Sequence, residues 1–183
     1  MKLVKATLAA RSLAIPVSEG TGPLILATHA VVGAAIASLI PNHPLVAFVA
    51  GVVSHFAIDA FPHWDYRLRS MFGGADGAAA LPIDGGLFID LGLIGLDACL
   101  GLVLAIWLFS TPATIVTILL GALGGMLPDP LQFAHRLYPH EPLRSLQQFH
   151  SWIHSKTKLA WPLGVTTQAS FALLVALVAK SLV

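Results

Sequence analysis

Ser54-His55-Phe56-Ala57-Ile58-Asp59-Ala60-Phe61-Pro62-His63-Trp64-Asp65 closes an apolar segment that begins near Leu45 and carries no charge before Asp59. His55 and Asp59 are spaced i,i+4, so on a helix they project from one face about one turn apart. An imidazole and a carboxylate held that way supply two ligands of a metal site, or an acid–base pair. Pro62 stops the helix, and His63 and Asp65 then repeat the pairing at closer spacing. A polar, titratable end on a greasy segment sets the terms for the rest of the chain.

Composition places that segment in a bilayer. The 183 residues are 56% hydrophobic and only 10% charged, against about 25% charged in an ordinary soluble domain. A soluble protein so poor in charge could not cover its surface, and the length suits one integral membrane domain of a few spans. A net charge of +1 gives no broad basic face, so nucleic acid is not an expected partner. The single cysteine, Cys99, lies in an apolar segment and reads as packing.

Five apolar segments are expected to be helical, because a bilayer accepts helices or closed barrels and no run alternates as a barrel strand does. They cover about 24–40, 45–61, 86–109, 113–127 and 160–178. The sequence therefore predicts an all-α, polytopic membrane bundle of about five transmembrane helices. The first, second and fourth segments are short for a bilayer that needs about 20 residues. Residues 1–23, with Lys2, Lys5 and Arg11, read as a basic lead-in on the membrane surface, ahead of one helical domain over 24–183. A glycine-rich loop is expected at 62–85, and a polar stretch at 129–159 contains a short amphipathic helix at 142–156.

Five spans would put 1–23, 62–85 and 129–159 on one side. Those stretches hold Lys2, Lys5, Arg11, Arg67, Arg69, Arg136, Arg144, Lys156 and Lys158, nine of the ten Lys and Arg, leaving Lys180 opposite. The excess of basic charge on cytoplasmic loops then predicts a cytoplasmic N-terminus in a bacterial or archaeal inner membrane, with the C-terminus outside.

On that topology the ligand-type side chains collect at one level. His29 opens the first segment, His55 and Asp59 end the second, Asp90 lies about one turn into the third, Asp129 follows the fourth, and His150 and His154 share a helical face before the fifth. His63 and Asp65 are further candidates in the adjoining loop. Of eight histidines, only His43 falls on the far side. The faces agree: Gly33 and Ala37 continue the His29 face, Gly51 and Ala47 the His55/Asp59 face, and Gly86, Asp90, Asp97 and Gly101 lie on one stripe. Small residues let helices approach closely in a bilayer. Asp97, about 10 Å deeper than Asp90 at ~1.5 Å per residue, reads as a structural hydrogen-bonder, while His135 and His140 read as loop residues.

Imidazole with carboxylate and no sulfur cluster suits zinc first, then manganese or iron, over copper(I). The expected site is His29, His55, Asp59, Asp90, Asp129, His150 and His154, with Asp59, Asp90 and Asp129 as the catalytic carboxylates. No Gly-x-Ser-x-Gly, Walker or dinucleotide motif is present. Bis-histidine haem finds little support, since only His29 and His55 lie in apolar segments, both at an edge. A cation or proton path through Asp90 and Asp97, or non-catalytic metal binding, is the alternative to hydrolysis.

Several elements also carry a family resemblance. Thr28-His29, the run Gly51-Val52-Val53-Ser54-His55-Phe56-Ala57-Ile58-Asp59 and Pro62-His63-Trp64-Asp65 resemble the predicted membrane-bound metal-dependent hydrolases. So do Gly121-Ala122-Leu123-Gly124-Gly125-Met126-Leu127-Pro128-Asp129 and Phe149-His150-Ser151-Trp152-Ile153-His154-Ser155. That family comprises multi-span bacterial and archaeal proteins, distantly compared with zinc-dependent phospholipase C, and the likeness covers residues 24–160. Its commoner His-Arg-x-x-Thr-His-Ser element is reduced here to the closing His154-Ser155, with His150 four residues earlier. The resemblance implies metal-dependent hydrolysis, and the membrane setting points to a phosphoester or acyl ester in a membrane lipid or lipid-linked substrate at the cytoplasmic interface.

Overall fold

A computed structural model describes residues 25–66, 68, 70 and 83–183. The basic lead-in, Arg67, Arg69 and the glycine-rich part of the 62–85 loop lie outside the described residues. Those described form seven helices: α1 (Leu26–Ser38), α2 (Pro44–Asp59), α3 (Gly85–Phe109), α4 (Ile115–Met126), α5 (Pro128–Leu137), α6 (Leu143–Ile153) and α7 (Trp161–Leu182). The all-helical class is therefore as expected.

The number of spans is not. At ~1.5 Å per residue, α1, α2 and α4 are only about 18–24 Å long, short of a ~30 Å hydrocarbon core. Only α3 and α7, of 25 and 22 residues, are individually long and apolar enough to cross a membrane. Counting α4 and α5 as one broken span, bent by 48°, raises the number to three, not about five. The misleading signal came from burial. A helix that is apolar all round is either lipid-facing or enclosed by protein, and α1 is enclosed, packing on α2, α3, α4 and α7. By contrast α3 and α7 expose Phe88, Leu96 and Trp107, and Phe171, Leu174 and Leu177, as a lipid-facing surface requires. Their length and composition support membrane association.

Close backbone approach sets the inner bundle. A Cβ at Gly33 or at Gly51 would land on the Gly121 carbonyl oxygen, and one at Gly125 would land on the His29 carbonyl oxygen. Helix α4 thus nests between α1 and α2 with backbone close to backbone at these glycines, as small residues permit. This registers the C-terminal end of α4 against the start of α1 and the end of α2.

Two acids in α3 are spent on backbone. Asp97 accepts from the N–H groups of Leu26 (2.6 Å) and Ala27 (3.3 Å), capping the start of α1 from a neighbouring helix. Free N–H groups at a helix start need such an acceptor. Asp97→Ala is accordingly expected to cost about 1–2 kcal/mol of stability, read as a lowered melting temperature in detergent with metal content unchanged. Asp90 accepts the Ser70 N–H at 2.7 Å, and Ser70 Oγ–H donates to Asp84, the N-cap of α3.

Candidate metal centre

Four helix ends deliver the buried polar cluster. His29 stands one turn into α1, His55 and Asp59 occupy the last turns of α2, Asp129 sits in the first turn of α5, and His150 in the last turn of α6. All five are buried, His55 and Asp59 completely. Donor atoms of His55, Asp59, Asp129 and His150 lie within 4.8 Å of one another. Asp59 is the hub: its Oδ2 is 3.0 Å from His55 Nε2 and 2.8 Å from His150 Nε2, and its Oδ1 is 3.4 Å from His29 Nε2. His55 Nε2 is also 3.7 Å from Asp129 Oδ1. Ligand bonds of ~2.0–2.2 Å place neighbouring donors of one ion about 3.0–3.5 Å apart, so these separations suit a shared cation.

Hydrogen bonding agrees. His55 Nδ1–H donates to the Gly125 carbonyl at 2.8 Å, which leaves the neutral ring's Nε2 as a bare lone pair. An imidazole held by its other nitrogen on a backbone carbonyl is the usual support of a metal-ligating histidine. Despite their proximity to other polar groups, His55 Nε2, Asp59 Oδ1 and Asp129 Oδ2 are buried without hydrogen-bond partners. Buried polar atoms left this way are costly, and a cation would satisfy them together. The buried His/Asp cluster can therefore hold a metal ion.

Gln132, which the sequence reading passed over, completes the cluster. Its Nε2–H donates to Asp129 Oδ1 at 3.0 Å and lies 3.5 Å from His150 Nε2. The signal was available as an i,i+3 neighbour of Asp129, but only once α5 is recognised as a helix.

The expected single set of ligands divides. His150 and His154 do not share a helical face, because α6 ends at Ile153 and His154 has left the helix with φ −56° and ψ 128°. His154 turns to His63, ring centroids 4.7 Å apart, and with Asp65 forms a second group whose donors lie within 4.8 Å of one another. The exit of α6 is laced to the exit of α2 by Ser155 N–H to the Asp59 carbonyl and Leu159 N–H to the His63 carbonyl. Asp90 belongs to neither group; its carboxylate holds Ser70.

This second group lies in the loops. Burial disfavours the charged form of His63, but the Asp65 carboxylate beside it wins and raises its pKa. Burial pushes the Asp65 carboxyl up, yet His63 and the Lys158 ammonium in direct contact with it hold it below the usual range. Burial and then the Lys158 charge bring His154 down to about 4, so its imidazole is neutral at physiological pH.

Comparisons with protein-family models, curated proteins and solved structures found no match for this chain. The class that the fold and cluster define is thus a helical, membrane-associated protein with a buried His/Asp centre able to take a metal ion.

Proposed function

We propose that this protein is a membrane-embedded metal-dependent hydrolase acting on a phosphoester or acyl ester of a lipid or lipid-linked substrate at the cytoplasmic interface. The observation that carries the reading is the convergence of His55, Asp59, Asp129 and His150, from three helices, into one buried group with unpaired donor atoms. Nitrogen and oxygen donors without sulfur favour zinc, with manganese or iron next. A divalent ion held there would supply the Lewis-acid charge that ester hydrolysis needs at neutral pH.

The chain's own residues take the remaining roles. His55 and Asp59 hold the centre, and His150 closes it from α6. Gln132 fixes one oxygen of Asp129 and leaves Oδ2 to the ion. Asp90, committed to Ser70, is a positioning residue for the segment before α3. An apolar cavity of about 390 Å³, lined partly by Ser54, Ile58, His63 and Phe171, adjoins the polar end and suits a ligand with an apolar chain. The site end also carries Arg136, Arg144, Lys156 and Lys158, which favours the cytoplasmic side. Cation or proton carriage gains no support from Asp97, whose carboxylate is taken up in capping α1.

Elemental analysis of the detergent-purified protein, beside His55→Ala, tests the reading. Bound zinc, manganese or iron in the wild type, depleted in a folded His55→Ala together with activity on lipid phosphoesters or acyl esters, is the expected result. A folded wild type that takes up no divalent metal would sink it and leave a protonated histidine–carboxylate network as a structural core. Metal without activity on either ester class would reduce the reading to metal binding.

A further inference from the structure

We propose that His63, Asp65 and His154 form a second divalent-cation site, separate from the first and set at the rim of the apolar cavity between α1, α2 and α7. The three donors lie within 4.8 Å of one another but do not merge with the His55 group. His63 Nδ1–H donates to the Phe61 carbonyl at 2.7 Å, and His154 Nδ1–H to the Ser155 carbonyl at 3.2 Å. In their neutral forms both rings therefore present Nε2 as the lone pair, the same arrangement as His55.

Two of the donor atoms face each other and have no further hydrogen-bond partner. His63 Nε2 and Asp65 Oδ1 are buried, 3.0 Å apart, and neither has an aligned hydrogen-bond partner. Lys158 engages the other carboxylate oxygen, Oδ2, so Oδ1 is left facing the imidazole. The parallel backbone bridge between His63 and Lys158 fixes this arrangement. It is a built site, held by main-chain bonds from two segments nearly a hundred residues apart in sequence.

Its chemistry differs from that of the first centre. One carboxylate with a lysine beside it attracts a cation less than the two carboxylates of Asp59 and Asp129, so the second ion is held more weakly and fills second. Three protein ligands leave a position for an outside ligand. His63 is also part of the cavity wall. The outside ligand is thus an oxygen-bearing head group, phosphoryl or carboxyl, whose apolar chain lies in the cavity. The site extends the metal-centre reading without depending on hydrolysis.

Titration of the chelator-stripped, full-length protein with Co²⁺, followed by visible absorption and elemental analysis, tests it. The wild type is expected to take two equivalents, the second at least about tenfold more weakly. His63→Ala and the milder Asp65→Asn are expected to keep the tight equivalent and lose the weak one, whereas His55→Ala loses the tight one. One equivalent in the wild type, unchanged in Asp65→Asn, would overturn this proposal and leave the first centre standing. Two equivalents retained in both His63→Ala and Asp65→Asn would place the second ion elsewhere, overturning it too. No uptake by the wild type would overturn both readings.

Discussion

Asp59→Asn is expected to weaken metal binding by at least about 100-fold, since even partners one step removed from the ion commonly cost 10–100-fold. Asp59 is in contact with His29, His55 and His150 together. Asparagine keeps its size but gives up the charge and places an N–H₂ among imidazoles that need an acceptor or an ion. The loss is also visible as stability. At free metal 100-fold above the wild-type dissociation constant, binding protects the folded state by about 2.7 kcal/mol, and a variant binding 100-fold more weakly retains about 0.4. Thermal unfolding with and without added zinc should therefore show a metal-dependent shift for the wild type and little for Asp59→Asn. An equal shift in both would mean that the ion binds away from this carboxylate.

Gly121→Val should produce a large loss of stability. Its Cβ would meet the Gly33 carbonyl oxygen and the Ala37 side chain, while Gly51 leans on the Gly121 carbonyl from the other side. Backbone cannot rotate away as a side chain can, so the cost belongs at the top of the usual 1–3 kcal/mol for overpacking. Metal content should fall with it, because α4 carries the Gly125 carbonyl that orients His55. Gly92→Ala provides the contrast, since nothing lies within 4 Å of a Cβ there. Alanine is expected to stabilise α3 by about 0.5–1 kcal/mol relative to glycine. Chemical denaturation in one detergent compares the two, and similar losses for both would refute the close-packed α1–α2–α4 arrangement.

Much of this was legible before any coordinates. The i,i+4 spacing of His55 and Asp59 and the glycines on the same faces are local signals, and both lead to the centre. One cause of failure is that the partner of a group can lie far along the chain. Asp97 caps a helix that starts 71 residues earlier, and nothing near Asp97 in sequence announces it. Pro128 and Pro130 read as the end of an apolar run, but Leu127 keeps helical angles and proline is tolerated in the first turn of the next helix. The chain therefore bends into α5 where a loop was expected, which also hid Gln132. His150 and His154 have helical spacing, yet the helix stops between them. Uniform apolarity, finally, could not distinguish α1 wrapped in protein from a helix wrapped in lipid.

The short helices have a bearing on the surrounding bilayer. Helix α1 is screened by its neighbours, but α2 turns Leu45, Val46, Val49 and Val53 outward over a length of only about 24 Å. Lipid beside such a face must thin by several ångströms to match it, at a cost of fractions of a kcal/mol per ångström. The long α3 and α7, by contrast, match the full thickness. The membrane around the protein is then a wedge whose thin edge borders α2. That thin edge would bring the lipid head groups nearer to the depth of Asp59 and His63.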